Sequence, residues 1–105
     1  MPHFFYILDF PQIKLSHIKI GVTNDLTRRI KEVERAYKGK AKIIYVESCE
    51  TSQEMNDMED ISRVLLRSNS NFIFQPKDRF IYAHGERPLV PVPKTTTIEC
   101  EICYI

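Results

Sequence analysis

The fold is decided by the stretch Phe4-Phe5-Tyr6-Ile7-Leu8, a run of aromatic and β-branched residues of the types that strands prefer. It is followed by Asp9-Phe10-Pro11, which indicates a loop. A second run, Ile18-Lys19-Ile20-Gly21-Val22, alternates apolar with other residues, and the loop between the two runs is short. The chain is therefore predicted to open with an antiparallel β-hairpin.

Two amphipathic helices are predicted next. Apolar residues recur at helical spacing from Leu26 to Tyr37, after N-cap candidates in Thr23-Asn24-Asp25, and this helix is expected to close near Gly39. Thr51 and Glu54 have the spacing of a capping box. The apolar stripe that follows predicts a second helix to about residue 67.

Further strands complete the fold. Residues 41–46 predict a third strand, and residues 72–74 and 79–82 predict two short extended segments whose pairing the sequence leaves open. The order ββαβα with short C-terminal strands predicts an α+β domain over residues 1–84, with a small, mostly antiparallel sheet flanked by helices. Residues 85–105, where prolines alternate with Leu and Val, predict an extended C-terminal extension that packs on the domain or lies free.

Composition excludes several classes of protein. The chain has 105 residues and a net charge of +1, too short for a multi-domain enzyme and too balanced to coat nucleic acid through bulk charge. Its odd number of cysteines, three, favours a reducing compartment. No signal-like leader and no membrane-spanning apolar run is recognised, so the protein is expected inside the cell, in the cytoplasm or nucleus, away from membranes.

Charge is distributed unevenly along the chain. Residues 28–42 carry seven basic and two acidic residues, a local net charge of +5, whereas residues 47–60 carry six acidic residues and no basic one. The basic segment could accommodate a phosphate backbone through Arg28, Lys31, Arg35 and Lys38. The alternative is that both segments are simply solvated helix faces.

Two charged residues lie at the edges of the predicted apolar stripes. On helical wheels Arg29 borders the apolar face of the first helix, and Glu59 borders that of the second. A guanidinium so placed needs an anion. One explanation is a structural Arg29–Glu59 salt bridge, and the other is a shared site for an anion and a metal ion.

These residues resemble the motifs of the GIY-YIG endonuclease superfamily. Phe4-Phe5-Tyr6, Lys19-Ile20-Gly21, Arg29 eight residues after that glycine, and Glu59 on a second helix occur in the family's order and spacing. The closest likeness is to the branch of phages, large DNA viruses and some eukaryotes whose second motif reads Lys-Ile-Gly. The likeness covers residues 4–82.

The resemblance implies a role for each matching residue. Tyr6 would orient or deprotonate the attacking water, and Gly21 would leave room beside the phosphate. Arg29 would stabilise charge on the phosphate, and Glu59 would hold one divalent ion, Mg²⁺ or Mn²⁺. The chain would then be a metal-dependent DNA endonuclease with Tyr6, Lys19, Arg29 and Glu59 as catalytic residues.

The chain also departs from the family pattern. Lys19 replaces the second-motif tyrosine and would contact phosphate or assist proton transfer, and Val33 occupies a position where many members carry His or Tyr. A polar residue expected after the second helix could be Asn69 or Asn71. The segment that begins at Asp78 resembles an acidic-aromatic stretch of the branch.

Other functions remain open on the sequence alone. A catalytically inactive DNA-binding module would keep the fold and the basic helix. A protein-interaction domain would use Arg29 and Glu59 as a structural pair and recruit a partner or a second copy through the C-terminal extension. Cys100 and Cys103 have the spacing of half a zinc site, but no second pair exists.

Overall fold

The computed structural model describes residues 2–11, 17–83, 90–93 and 102–104. The elements within these residues are β1 (His3–Phe10), β2 (His17–Thr23), α1 (Leu26–Tyr37), β3 (Lys42–Cys49), α2 (Ser52–Arg67), β4 (Phe72–Gln75), β5 (Arg79–Tyr82), β6 (Pro91–Pro93) and β7 (Ile102–Tyr104). The predicted α+β class and element order are confirmed. Strands β1 and β2 extend beyond the apolar runs that indicated them, and β1 continues through Asp9 and Phe10, which were predicted to begin the loop. Strand β3 begins one residue after the predicted start and continues to Cys49.

The main sheet of the described chain has five strands in the order β3-β1-β2-β5-β4. Each neighbouring pair is antiparallel, so the mostly antiparallel sheet is confirmed. The predicted hairpin is formed by β1 and β2, in a register that sets Tyr6 opposite Gly21. Strands β6 and β7 pair with each other in a separate small sheet.

Strand β1 is buried on both faces of the sheet. Phe5 and Ile7 belong to a core cluster with residues of α2, while Tyr6, Leu8 and Phe10 pack with residues of α1. Successive side chains of a strand point to opposite faces, so the two helices cover opposite sides of β1. This double burial explains why β1 is a continuous apolar run instead of an alternating one.

Helix α1 has the predicted cap and an unexpected end. Its N-cap is Asp25, whose side chain accepts a hydrogen bond from the backbone N–H of Arg28 at 3.2 Å. The helix ends at Tyr37, and its C-cap, Lys38, which precedes Gly39, adopts the left-handed conformation with φ 54°. Lysine therefore occupies a left-handed position at the helix end, where glycine is usually favoured.

Helix α2 begins at the predicted N-cap. Thr51 Oγ1 accepts a hydrogen bond from the backbone N–H of Glu54 at 3.1 Å. The Glu54 carboxylate accepts from the backbone N–H of Glu50 at 3.0 Å, one residue before the position that a capping box would use. The first bond pairs a backbone donor that the helix start would otherwise leave without an acceptor, and the second joins the helix to the residue before its N-cap.

The end of the chain contributes to the core as well. Strands β4 and β5 form a hairpin with Phe72 opposite Tyr82, which settles the pairing that the sequence left open. Val90 is 4% exposed and belongs to the same core cluster as Phe5, and β6 contacts α2. The predicted boundary at 84/85 and Cys100 lie outside the described residues. None of the helices in the described ranges is long and apolar enough to cross a membrane.

Replacing Lys38 by glycine is expected to stabilise the protein. Glycine adopts the left-handed conformation without the steric cost of about 1 kcal/mol that a Cβ adds. Thermal melts should show a higher Tm for Lys38→Gly than for Lys40→Gly, which removes the same charge at a residue whose φ is not positive. Equal or lower stability of Lys38→Gly would contradict the argument.

Candidate active site

The sheet has an opening beside the second half of β2. Strand β5 pairs with β2 over His17–Lys19, and the described chain places no strand beside Gly21–Thr23 on that side. The turn between β4 and β5 lies there instead, and the Asp78 carbonyl accepts a hydrogen bond from the Ile20 N–H at 3.1 Å. Side chains from several elements can therefore meet at this point.

A cavity of about 510 Å³ lies at the opening. The four residues predicted to be catalytic line it, and each comes from a different element: Tyr6 from β1, Lys19 from β2, Arg29 from α1 and Glu59 from α2. Further lining residues include Gly21, Glu32, Val33, Tyr37, Lys77 and Asp78. The structure thus brings the four predicted residues together, although Tyr6 and Glu59 are 53 positions apart in the sequence.

Tyr6 is fixed by its neighbours on both sides. It is 1% exposed, and a Cβ added at Gly21 would lie only 2.5 Å from Tyr6 Cζ and 3.0 Å from Cε1. Arg29 Nε donates a hydrogen bond to Tyr6 Oη at 3.4 Å. Burial raises the pKa of the Tyr6 phenol, and Arg29 only partly offsets this effect. The phenol is therefore protonated at neutral pH and able to donate a hydrogen bond.

Lys19 is a buried cation that the backbone holds in place. It is 7% exposed, and its Nζ donates to the carbonyl of Lys77 at 2.7 Å and to that of Ile20 at 3.3 Å. Burial lowers the pKa of the ammonium group, an effect that the negative charge of Asp78 opposes. Lys19 thus contributes a positive charge whose position is determined by main-chain atoms.

Glu59 is an incompletely paired carboxylate. Its Oε1 lies 3.4 Å from Arg63 Nη2, and no described residue forms a hydrogen bond with it. Burial, and then the negative charge of Asp78, raise the pKa of Glu59. Within the described ranges no group of three or more His, Cys, Asp and Glu side chains could hold a metal ion. Glu59 would thus be a lone protein carboxylate for such an ion.

Arg63 is the charged residue of α2 that the sequence analysis missed. Its Nε and Nη2 donate to Oδ1 and Oδ2 of Asp78 at 2.8 and 3.0 Å, and its Nη1 donates to Asp60 Oδ1 at 2.7 Å. The spacing of Arg63 from Glu59 and Asp60 is visible in the sequence, but its main partner Asp78 is brought near by the β4–β5 hairpin. The hydrogen bond from Arg63 lowers the pKa of Asp78.

A structural salt bridge between Arg29 and Glu59, one of the two explanations that the sequence left open, does not form. Arg29 Nη1 pairs with Glu32 Oε2 at 3.5 Å, and Glu59 pairs with Arg63. No ion pair joins Arg29 to Glu59, both of which lie within the described part of the chain. Each residue has a partner on its own helix, because residues three or four apart are neighbours on a helix surface.

The predicted nucleic-acid-binding residues divide into two groups. Lys31, Arg35 and Lys38 border an open depression at the C-terminal half of α1. Arg28 lies apart from this depression and is paired with Asp25 and Glu32. The basic surface is thus centred on the end of α1.

The candidate polar residues after α2 differ in whether they line the cavity. Asp78 lines the cavity, whereas Asn69 and Asn71 are not among its lining residues. Asn69 Oδ1 instead accepts a hydrogen bond from the Asn71 N–H at 2.9 Å and closes the turn after the helix. Val33, 2% exposed, is part of the core at the cavity wall.

Comparison with known proteins yields a match at the level of a protein family. The family model described as the T5orf172 domain matches residues 3–87, a stretch that contains every side chain of the cavity. No curated protein and no solved structure gives a significant match.

Adding a methyl group at Gly21 is expected to displace the Tyr6 ring. Because both residues are held in a paired register, Gly21→Ala should lower the free energy of unfolding by about 1–3 kcal/mol. In a Tyr6→Leu background the same methyl should cost less, since the ring atoms that it would meet are gone. Denaturant unfolding of the four chains checks this double-mutant cycle, and additive costs would contradict the proposed contact.

The Arg63–Asp78 contact is expected to make stability depend on acid pH. The pKa of Asp78 is lower in the folded chain than its ordinary 3.8, so its ionised form stabilises the fold above pH 3.8 and loses this effect as the pH falls through the folded-state value. At pH 7 Asp78→Asn should reduce the free energy of unfolding by about 1–2 kcal/mol.

The measurement is urea unfolding of both chains over a pH series. The difference between them should shrink progressively below pH 3.8. Asp57→Asn is the matched control, since Asp57 accepts a hydrogen bond from Gln53 within α2 and does not line the cavity. A difference for Asp78→Asn that is independent of pH would contradict the assignment.

Proposed function

The chain belongs to the T5orf172 domain family, and from that premise we propose that it is a metal-dependent endonuclease of the GIY-YIG type that hydrolyses phosphodiester bonds in DNA. The observation that carries the proposal is the convergence of Tyr6, Lys19, Arg29 and Glu59 on the same cavity. A phenol, two cations and a carboxylate are the groups that phosphodiester hydrolysis needs to orient water, neutralise phosphate and bind a divalent ion.

Arg29 is proposed to stabilise the negative charge that develops on the phosphate. Its side chain is 40% exposed, and of its donors Nε points to Tyr6 and Nη1 to Glu32. The remaining guanidinium N–H groups are available to phosphate oxygens, which match the fork geometry of arginine. The weak surface pairing with Glu32 is readily exchanged for a bound phosphate.

Tyr6 and Lys19 are proposed to act on the attacking water and the phosphate. Protonated Tyr6 orients the water through its hydroxyl, since burial disfavours the phenolate. Lys19 presents its ammonium group to the phosphate from a position that the Lys77 and Ile20 carbonyls define. The replacement of the family's second tyrosine by Lys19 is consistent with this division of roles.

Glu59 is proposed to hold one Mg²⁺ or Mn²⁺ ion. Two observations support the fit. Glu59 is partly buried, and its contact with Arg63, at 3.4 Å, is longer than the hydrogen bonds that Arg63 donates to Asp60 and Asp78. Its negative charge is thus poorly compensated, in agreement with its raised pKa. Mg²⁺ commonly keeps several waters and takes one or two carboxylates plus substrate phosphate. When bound, the ion would polarise the phosphodiester and ease departure of the leaving oxygen.

DNA is proposed to extend from the cavity along α1. Lys31, Arg35 and Lys38 lie on the same helix as Arg29, at the depression near its C-terminal end. Such lysine and arginine side chains bind the sugar-phosphate backbone without reading the sequence. This surface would position the duplex so that a phosphate reaches Arg29.

A DNA-binding module without catalysis is the second candidate. It is favoured by the position of Val33. This buried apolar residue lies at the cavity wall, where the family resemblance implies His or Tyr in many members. This alternative keeps the basic surface of α1 and predicts DNA binding that needs no divalent ion.

Cleavage of supercoiled and branched DNA tests the two candidates. With Mg²⁺ or Mn²⁺ at low salt, the unchanged chain should cut, and Glu59→Ala and Arg29→Ala should each lower the rate by about 10²–10³-fold. Asp57→Ala and Arg67→Ala are the matched controls, since neither residue lines the cavity, and both should cut normally. DNA binding without metal-dependent cutting would reject the nuclease and favour the binding module.

A further inference from the structure

The β4–β5 turn is held in an unfavourable backbone conformation beside the cavity. Lys77 and Asp78 have φ values of 66° and 56°, in the left-handed region that residues with a Cβ rarely adopt. Two such residues in succession are sterically unfavourable, so contacts elsewhere must hold the turn in place.

Arg63 supplies the contacts that hold this turn. Its bidentate pair of hydrogen bonds to Asp78 joins α2 to the turn, and the third bond to Asp60 fixes the guanidinium on its own helix. The planar fork of arginine matches both carboxylate oxygens at once, which a lysine cannot do. The orientation of Asp78 is thus determined by Arg63.

The β4–β5 turn determines the position of the Lys19 ammonium group. The carbonyl of Lys77 accepts from Lys19 Nζ at 2.7 Å, and the carbonyl of Asp78 accepts from the Ile20 N–H at 3.1 Å. Both carbonyls belong to the two left-handed residues, so their directions depend on that conformation. A shift of the turn would therefore move the lysine ammonium group within the cavity.

We propose that Arg63 and Asp78 form a clamp that fixes the β4–β5 turn and thereby positions the Lys19 ammonium group in the cavity for its contact with the substrate phosphate. Arg63 and Asp78 are positioning residues, acting through the Lys77 carbonyl. The effect of the clamp on the cleavage rate rests on the proposed function, whereas its effect on the conformation of the β4–β5 turn does not.

Arg63→Lys tests the clamp because it keeps the positive charge among Glu59, Asp60 and Asp78 but removes the bidentate contact. Under single-turnover conditions with saturating DNA, the cleavage rate should fall about 10–100-fold, since small displacements of catalytic groups cost that much. The dissociation constant for DNA should change by less than about twofold, because the clamp lies away from the basic surface of α1. Asp78→Asn should act in the same direction.

Arg67→Lys is the matched control. Arg67 lies one helical turn further along α2, with its guanidinium 4.4 Å from the centroid of the exposed Phe74 ring, outside the cavity. It should leave the cleavage rate unchanged. All rates are compared well below the Tm of each variant, so a loss of global stability alone would not lower them.

Amide hydrogen exchange gives a readout that needs no activity. In Arg63→Lys the Ile20 N–H should exchange faster than in the unchanged chain, while the Gly39 N–H, bonded to the Glu34 carbonyl at 3.1 Å far from the clamp, should not change. Unchanged Ile20 exchange would overturn the clamp, as would cleavage by Arg63→Lys at the rate of Arg67→Lys. If the protein without substitutions cuts no DNA, the proposed function is overturned instead. The exchange rate of the Ile20 N–H would still decide whether Arg63 holds the turn.

Discussion

Burial of β1 on both faces is the constraint on which the rest of the structure depends. Alternate residues of this strand enter two different cores, so a slip of one residue would exchange the side chains that meet α1 and α2. The register with β2 is therefore fixed, and Tyr6 faces Gly21. The glycine matters because of the space that it leaves for the aromatic ring.

The cavity combines charges that a compact core would normally exclude. Lys19 is buried among groups of both signs, and each ionised side chain nearby has an identified compensation: Lys77 carbonyl for Lys19, Arg63 for Asp78, Glu32 for Arg29. Glu59 is the least compensated of these. The proposed metal site depends on this uneven compensation of charge.

Local signals in the sequence were sufficient for the hairpin, for both helices and for the cap at Thr51, because spacing and capping chemistry act over a few residues. For the first helix they limited the N-cap to three candidates, of which the structure uses Asp25. The helical wheels placed Arg29 and Glu59 at the borders of the apolar faces of their helices. The wheels do not identify the partners of these side chains. The structural Arg29–Glu59 pair, one of the two alternatives left open, does not form because each side chain has a partner on its own helix. Arg63 was missed because its contact with Asp78 depends on how β4 and β5 pair, which their short apolar runs did not determine.

The place of Val90 in the core bears on how the chain could be shortened. The family match ends at residue 87, but the core cluster around Phe5 includes the side chain of Val90, and β6 contacts α2. A fragment trimmed to the matched residues would therefore lose part of the packing against α2, the helix that carries Glu59 and Arg63. The matched segment and the packed core thus do not share a boundary, because Val90 and β6 lie beyond the match and pack with the core and α2.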